Sequence, residues 1–293
     1  MPQVKEVLKR VKKIELKTKV LVDGLISGEY HSIFKGRGIE FSEVREYVPG
    51  DDVRAIDWNV TARLNAPFVK EFIEERDLTL FIVFDLSSSN EFGFKRSKKD
   101  VCYDIAASLM FAALRNNDNV GLCLFTDRVE KFVPPRKGNK HILKLLRELI
   151  YHEPKSKTTD IRTALSYLNN VIKKRSIIFI ISDFLTPDFE KPLKQLKSKH
   201  DVILVDIADV HEEDLPDIGY AFLEDYETGE QILVDTSDSE FRMRYTELVR
   251  TSREAFLTTL KRLNVDIIKM NTSEPFYIPL QTFFKMRERR VVR

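Results

Sequence analysis

The chain has 293 residues, of which 43% are hydrophobic and 32% are charged, a balance typical of a folded globular protein and not of a disordered one. The formal net charge is only +2, so the overall charge gives no argument for nucleic acid as a partner. No apolar run approaches the roughly 18 residues of a membrane-spanning helix, and two cysteines are too few for a disulfide framework. We therefore expect a cytoplasmic protein.

Residues 1–76 are predicted to form a helix followed by a small β-rich segment. Within the first 25 residues, four apolar side chains have the spacing of one helix face: Val4, Val7, Leu8 and Val11. This start of the chain is charged and lacks the continuous apolar core of a signal peptide. Residues 36–52, GRGIEFSEVREYVPGDD, have a strand pattern that ends in a Pro-Gly-Asp turn. Residues 55–76 are predicted to form two short strands around Asn65-Ala66-Pro67.

From residue 77 onward, strand patterns and helix patterns alternate. Apolar side chains would face both sides of three strands, which places these strands inside a sheet with helices on both faces: LTLFIVFDL, SIIFIISDF and DVILVDI. Helices are predicted at residues 96–116, 139–151, 160–174, 189–200 and 238–263. We therefore predict one α/β domain over residues 77–293. It has a doubly wound, mostly parallel sheet, an inserted hairpin at residues 218–235 and a basic C-terminal tail.

Polar side chains follow two of these apolar strands, where an open α/β sheet keeps its ligand crevice. Asp85 ends the first strand and is followed by Ser87 and Ser89, whereas Asp183 ends the second strand. Thr159 lies in the loop SKTTDIRTAL, where it or the next residue is also expected to cap a helix. Either acid alone would be an ordinary helix cap, but together these five residues form a set of hard oxygen ligands. Such ligands suit Mg²⁺ or Mn²⁺, which would also relieve the repulsion between the two carboxylates.

The segment DLSSS resembles the D-x-S-x-S pattern of the metal-ion-dependent adhesion site of von Willebrand factor A domains. Thr159 matches the threonine of that site, and Asp183 its second acid. The segments REYVPGDDVRAIDWNVTAR and LPDIGYAFLEDYETGEQILVDTSD resemble a MoxR-associated bacterial subfamily catalogued as a domain of unknown function. The resemblance covers roughly residues 30–250. Here the loop KTTD lacks the glycines that relatives often carry before the threonine.

This resemblance implies a fold of the von Willebrand factor A type and a divalent-metal-dependent protein-binding module without enzymatic activity. Asp85, Ser87, Ser89, Thr159 and Asp183 would hold one Mg²⁺ or Mn²⁺, directly or through water. An acidic side chain of a partner would fill an open coordination position. The resemblance also implies an adaptor or chaperone component that works with a MoxR-type AAA+ ATPase.

Three other interpretations of the sequence stay open. In the first, Asp85 is the nucleophile of a Mg²⁺-dependent phosphohydrolase. That chemistry usually needs a second acid two residues after the nucleophile, where this chain has Ser87. In the second, the basic ends of the chain bind nucleic acid. Aromatic residues, which often stack on bases in such proteins, do not interleave with these basic clusters. The PGDD stretch would be either a functional surface or a structural hairpin packed on the α/β domain. In the second case Arg45, Arg54 and Arg63 would pair with nearby acids such as Asp51 and Asp57.

Overall fold

A computed structural model describes residues 40–64, 66–73, 78–91, 97–186, 188–209, 212, 215–225 and 227–291. These residues fall into two compact units, the smaller one ending at Leu78 and the larger one beginning at Thr79. The predicted N-terminal helix lies outside the described residues. None of the described helices combines the length and the apolarity that crossing a membrane requires.

The smaller unit is built on two antiparallel strands, β1 (Glu40–Glu46) and β2 (Phe68–Ile73). Between them lies helix α1 (Trp58–Leu64), so the prediction of a strand in this stretch is wrong. The side chain of Asp57 accepts hydrogen bonds from the backbone N–H groups of Asn59 and Val60 at 2.9 and 3.3 Å. An acid that satisfies first-turn amides in this way stabilises a helix start, and this local capping outweighs the alternating apolar pattern.

The PGDD stretch forms a turn stabilised within the smaller unit. The guanidinium of Arg45 donates to both carboxylate oxygens of Asp51 at 2.8 and 2.9 Å, and the N–H of Val48 donates to the same carboxylate at 2.9 Å. The hydrogen bonds from Arg45, and next that from Val48, lower the pKa of Asp51 to about 2. Gly50 has a φ of +115°, which favours glycine. The expected pairing with a nearby acid is therefore confirmed for Arg45, and these contacts give the turn a structural role.

The larger unit contains eight strands, six α-helices and one 3-10 helix (Ser88–Glu91) among the described residues. The strands are β3 (Thr79–Asp85), β4 (Asn119–Phe125), β5 (Val129–Arg136), β6 (Ile177–Ser182), β7 (Asp201–Ala208), β8 (Tyr220–Glu224), β9 (Gln231–Asp235) and β10 (Asp266–Asn271). The helices are α2 (Lys98–Arg115), α3 (Asn139–Tyr151), α4 (Ile161–Val171), α5 (Glu190–Lys199), α6 (Ser239–Leu263) and α7 (Tyr277–Val291).

Six of these strands form one sheet in the order β10-β7-β6-β3-β4-β5. All neighbouring pairs are parallel except β4 and β5. Strands β8 and β9 form a separate antiparallel hairpin, as the sequence predicted. The predicted fold class, an α/β fold with a doubly wound and mostly parallel sheet, is confirmed.

The central position of β3 explains its unbroken apolar pattern, since six of its seven residues are buried. On one face Phe84 stacks on Tyr103 of α2, with ring centroids 5.5 Å apart. On the other face Phe81 belongs to a buried cluster that includes Leu165 of α4 and Leu193 of α5. Helices cover both faces of the strand, so only its carboxyl end offers polar groups to a ligand.

Strand β5 includes Pro134 and Pro135 and ends one residue later, at Arg136. Because β5 lies at the edge of the sheet, the missing N–H groups of the prolines do not interrupt a central ladder.

The predicted basic tail contains helix α7, which the sequence analysis did not foresee. Arg287 lies within salt-bridge distance of Asp201 and Asp266, at 2.7 and 3.0 Å, and Arg290 contacts Asp266 at 3.0 Å. Part of the positive charge at this end of the chain is thus neutralised by acids next to the sheet.

Candidate metal centre

Asp85 is the buried acid of the candidate centre, at the carboxyl end of the central strand β3 and only 1% exposed. Its Oδ1 accepts a hydrogen bond from the N–H of Ser87 at 2.9 Å, and its Oδ2 accepts one from the hydroxyl of Ser182 at 2.7 Å. Burial, and next the negative charge of Asp183, raise the pKa of Asp85 to about 7. A nearby cation would oppose both effects and favour the ionised carboxylate.

In the turn that follows β3, the hydroxyls of Ser87 and Ser89 form a hydrogen bond with each other, with their oxygens 3.0 Å apart. In an octahedral Mg²⁺ site with bonds of about 2.0–2.1 Å, neighbouring ligand oxygens lie about 3 Å apart. The N–H of Ser88 donates to the carbonyl of Lys157 at 3.1 Å, which ties this turn to the loop that carries Thr159. The spacing of the two hydroxyls therefore fits the geometry of a hard divalent cation.

Asp183 follows β6, the neighbour of β3 in the sheet, but it already faces a positive charge of the chain itself. Its Oδ2 accepts a hydrogen bond at 3.1 Å from the Nζ of Lys98, whose other carboxylate contact is Glu212 at 2.7 Å. The side chain of Lys98 is completely buried. Burial alone would lower the pKa of Lys98, but the charges of Asp183 and Glu212 raise it above its ordinary value. No spacing pattern in the sequence indicated this ammonium group.

Thr159 lies in the adjoining loop, where its hydroxyl and its backbone N–H both donate hydrogen bonds to one carboxylate. Its hydroxyl donates to the Oε1 of Glu227 at 2.8 Å, and its backbone N–H donates to Oε2 at 3.2 Å. Glu227 lies in the turn between β8 and β9, and the sequence analysis did not connect it with the site. Asp160, not Thr159, caps helix α4, since its side chain accepts from the N–H of Arg162 at 2.9 Å.

The structure joins Ser87 to Asp85 and to Ser89 by hydrogen bonds, whereas Asp183 contacts an ammonium and Thr159 a carboxylate. The oxygen ligands of the first three residues are of the kind that suits a hard divalent cation. Among the described residues, no group of three or more His, Cys, Asp and Glu side chains could hold a metal. A metal at this edge would depend on the serine hydroxyls.

Comparison with known proteins gives relatives along most of the chain. The uncharacterized proteins Mb1516 of Mycobacterium bovis and Rv1480 of Mycobacterium tuberculosis are each 29% identical over 280 residues, covering 94% of this chain and 88% of theirs. Among solved structures, the conserved hypothetical protein BatB from Bacteroides thetaiotaomicron has 13% identity and a TM-score of 0.48, covering 72% of this chain and 99% of that one. The SpRpn10 VWA domain has 13% identity and a TM-score of 0.37, covering 45% and 76%. The sequence profile of one family matches residues 43–255, and the chain belongs to that family, described as protein of unknown function DUF58.

Proposed function

We propose that the larger unit is a divalent-metal-dependent protein-binding module. Asp85, Ser87 and Ser89 would hold one Mg²⁺ or Mn²⁺, and an acidic side chain of a partner would complete its coordination. The observation that carries the proposal is the buried carboxyl of Asp85 in the same turn as the hydrogen-bonded hydroxyls of Ser87 and Ser89, three hard oxygen ligands at the end of the central strand. A bound cation would stabilise the charged form of both Asp85 and Asp183.

Asp183 and Thr159 belong to the proposed site through the acceptor capacity that their present hydrogen bonds leave. A carboxylate has about four acceptor sites, and Lys98 donates to Oδ2 of Asp183. The hydroxyl of Thr159 acts as a donor to Glu227, so the lone pairs of its oxygen stay open to a cation or a water molecule. Both residues would therefore support the ion without losing every present contact.

The proposed partner is a MoxR-type AAA+ ATPase, or another protein that offers an acidic side chain, and the chain would serve it as an adaptor or chaperone component. The support for this partner is the family resemblance carried by the sequence motifs. The proposal includes a cytoplasmic location, for which the buried free thiols of Cys102 and Cys123 are support.

A phosphohydrolase mechanism with Asp85 as nucleophile is less well supported. Asp85 is 1% exposed, and a phosphoryl group is much larger than a bare cation, so burial counts more against attack on a substrate than against ion binding. A nucleophile needs an oxygen that can approach a substrate phosphorus atom. We therefore propose a binding role without catalysis.

Calorimetric titration of the full chain with Mg²⁺ and with Mn²⁺ tests the proposal. We expect one ion to bind the wild type and none to bind Asp85→Ala, while Asp217→Ala, an exposed acid of the same unit, binds as the wild type does. Far-ultraviolet circular dichroism checks that Asp85→Ala is folded. Failure of the wild type to bind either ion would overturn the metal dependence. Turnover of an aryl phosphate that disappears in Asp85→Ala would favour the hydrolase.

A further inference from the structure

The β8–β9 hairpin reaches the candidate centre through Glu227. The turn that carries this residue is stabilised by Asp225, whose Oδ1 accepts hydrogen bonds from the N–H groups of Glu227 and Thr228 at 2.8 and 3.3 Å. The N–H of Gly229 donates to the carbonyl of Asp225 at 2.7 Å, and Gly229 has a φ of +74°. The turn therefore holds its own shape, and the side chain of Glu227 is left to make a contact outside it.

Thr159 offers this side chain a pair of donors that suits a carboxylate. Its hydroxyl and its backbone N–H each reach a different oxygen of Glu227, at 2.8 and 3.2 Å. Charge-assisted hydrogen bonds from two donors to one carboxylate are stronger and more specific than a single neutral bond. An acidic side chain of another protein would present the same two oxygens to the same two donors.

The rest of the hairpin gains little from burial, so its attachment depends on its two ends. At the base, Thr236 is buried and accepts a hydrogen bond from the N–H of Ile218 at 3.0 Å. No residue of β8 or β9 is buried, and large apolar side chains on these strands are exposed by 76%, 69% and 59%: Tyr220, Phe222 and Leu233. Because the strands bury so little apolar surface, the contact between Glu227 and Thr159 is a main restraint on where the turn lies relative to the loop that carries Thr159.

We propose that Thr159 is a carboxylate-binding position and that Glu227 is its resident occupant, so that the hairpin closes the candidate centre until an acidic side chain of a partner displaces Glu227. This inference rests on the proposed function, because it names where the partner's acid enters the site. It also gives a role to the hairpin, which the metal ligands alone do not explain.

The gain in affinity for a competing carboxylate when Glu227 is removed depends on the fraction of wild-type molecules in which Glu227 is not bound to Thr159. The apparent dissociation constant of a competing carboxylate equals its intrinsic constant divided by that fraction. If Glu227 occupies Thr159 in about nine molecules out of ten, a competitor binds about ten-fold more weakly to the wild type than to a chain without Glu227.

Nuclear magnetic resonance titration of the labelled full chain measures this competition at the backbone amide of Thr159. The probe is a blocked tripeptide with a central glutamate, and the same tripeptide with glutamine is the negative control. The variants are Glu227→Ala and Glu230→Ala, of which the second removes an exposed acid of the same hairpin. Each titration is run with saturating Mg²⁺ and again with chelator.

We expect the glutamate peptide to bind Glu227→Ala about ten-fold more tightly than it binds the wild type or Glu230→Ala, and the glutamine peptide to shift the Thr159 amide in none of them. Equal affinity for the wild type and Glu227→Ala would overturn the inference, as would a Thr159 amide that no variant shifts. Calorimetry on the same samples separates the two proposals. Absence of Mg²⁺ binding in every variant overturns only the metal dependence, whereas Mg²⁺ binding with equal peptide affinities overturns only the role of Glu227.

Discussion

The substitution Lys98→Met tests whether the buried ammonium holds the acids of the candidate centre in place. Methionine keeps the length and the apolar stem of lysine but removes its charge. The ammonium contacts Asp183 at 3.1 Å and Glu212 at 2.7 Å, and only 6% of the Asp183 side chain is exposed. Removing one partner of a buried ion pair costs about 3–5 kcal/mol, since the other charge stays buried. We expect the lower end, because Glu212 is 29% exposed and water can hydrate it.

Urea denaturation at neutral pH in the presence of chelator measures this loss in the free energy of unfolding. The exposed Lys140, in the first turn of α3, provides the matched control Lys140→Met. A double-mutant cycle with Asp183→Asn isolates the pair, and we expect a coupling of about 1–3 kcal/mol between Lys98 and Asp183. Saturating Mg²⁺ should reduce the loss in Lys98→Met, because the ion would supply a counter-charge next to Asp183.

Two results would refute this reasoning. One is a Lys98→Met variant that is no less stable than Lys140→Met. The other is an equal loss from Lys98→Met in the wild-type and Asp183→Asn backgrounds, since the loss would then come from packing of the lysine stem and not from its charge. In either case the acids of the centre would not depend on an internal cation.

Three further substitutions test the sheet around the site. A Cβ atom at Gly121 would lie 2.5 Å from the ring of Phe81. We therefore expect Gly121→Ala to lower the free energy of unfolding, measured in urea, by about 1–3 kcal/mol, and the added substitution Phe81→Leu to restore part of that loss. An unchanged urea midpoint in Gly121→Ala would contradict the close approach. Burial raises the pKa of Asp206 to about 6 despite its contact with Arg253 at 2.9 Å. Because the folded chain then binds more protons than the unfolded chain between about pH 4 and 6, this acid makes stability fall as pH rises through that window, by about 3 kcal/mol. The raised pKa of Asp85 contributes a further fall over the same range, so we expect urea denaturation at pH 4.5 and 7 to show a smaller but not a vanishing fall in Asp206→Asn. Equal falls in the wild type and the variant would show that Asp206 does not contribute.

The parallel sheet could be predicted because its signal is local. The runs LFIVF and IIFIIS carry apolar side chains on both faces, and only strands with helices on both sides bury such runs. The same logic placed Asp85 and Asp183 at one edge, where the structure has them. Helix α1 was missed because its signal is a single capping acid, Asp57, in front of a sequence that also alternates. The alternating pattern predicted a strand there, whereas the capping acid favoured a helix, and the segment is a helix.

The groups that now contact the predicted ligands could not be found in this way. Lys98 is 85 residues from Asp183 and 114 from Glu212, and Thr159 is 68 from Glu227, so no spacing rule relates them. One local clue existed for Lys98. A lysine at the first position of a helix places its charge at the positive end of the helix dipole, which is unfavourable on its own. Such a conflict between a residue and its local structure indicates a partner elsewhere in the fold.

The two contacts that the sequence did not reveal have a common consequence. A metal-dependent binding site takes a cation from solution and an acid from its partner, yet this chain already supplies an ammonium to Asp183 and a carboxylate to Thr159. The buried charge of Asp183 is therefore compensated before any ion arrives. We infer that the metal-free chain is stable, that the ion would use the acceptor sites of Asp183 that Lys98 leaves open, and that the partner's acid would bind by exchange with Glu227. Binding by exchange weakens affinity by the free energy of the contact displaced, so the proposed site would release its partner more readily than a site without internal substitutes.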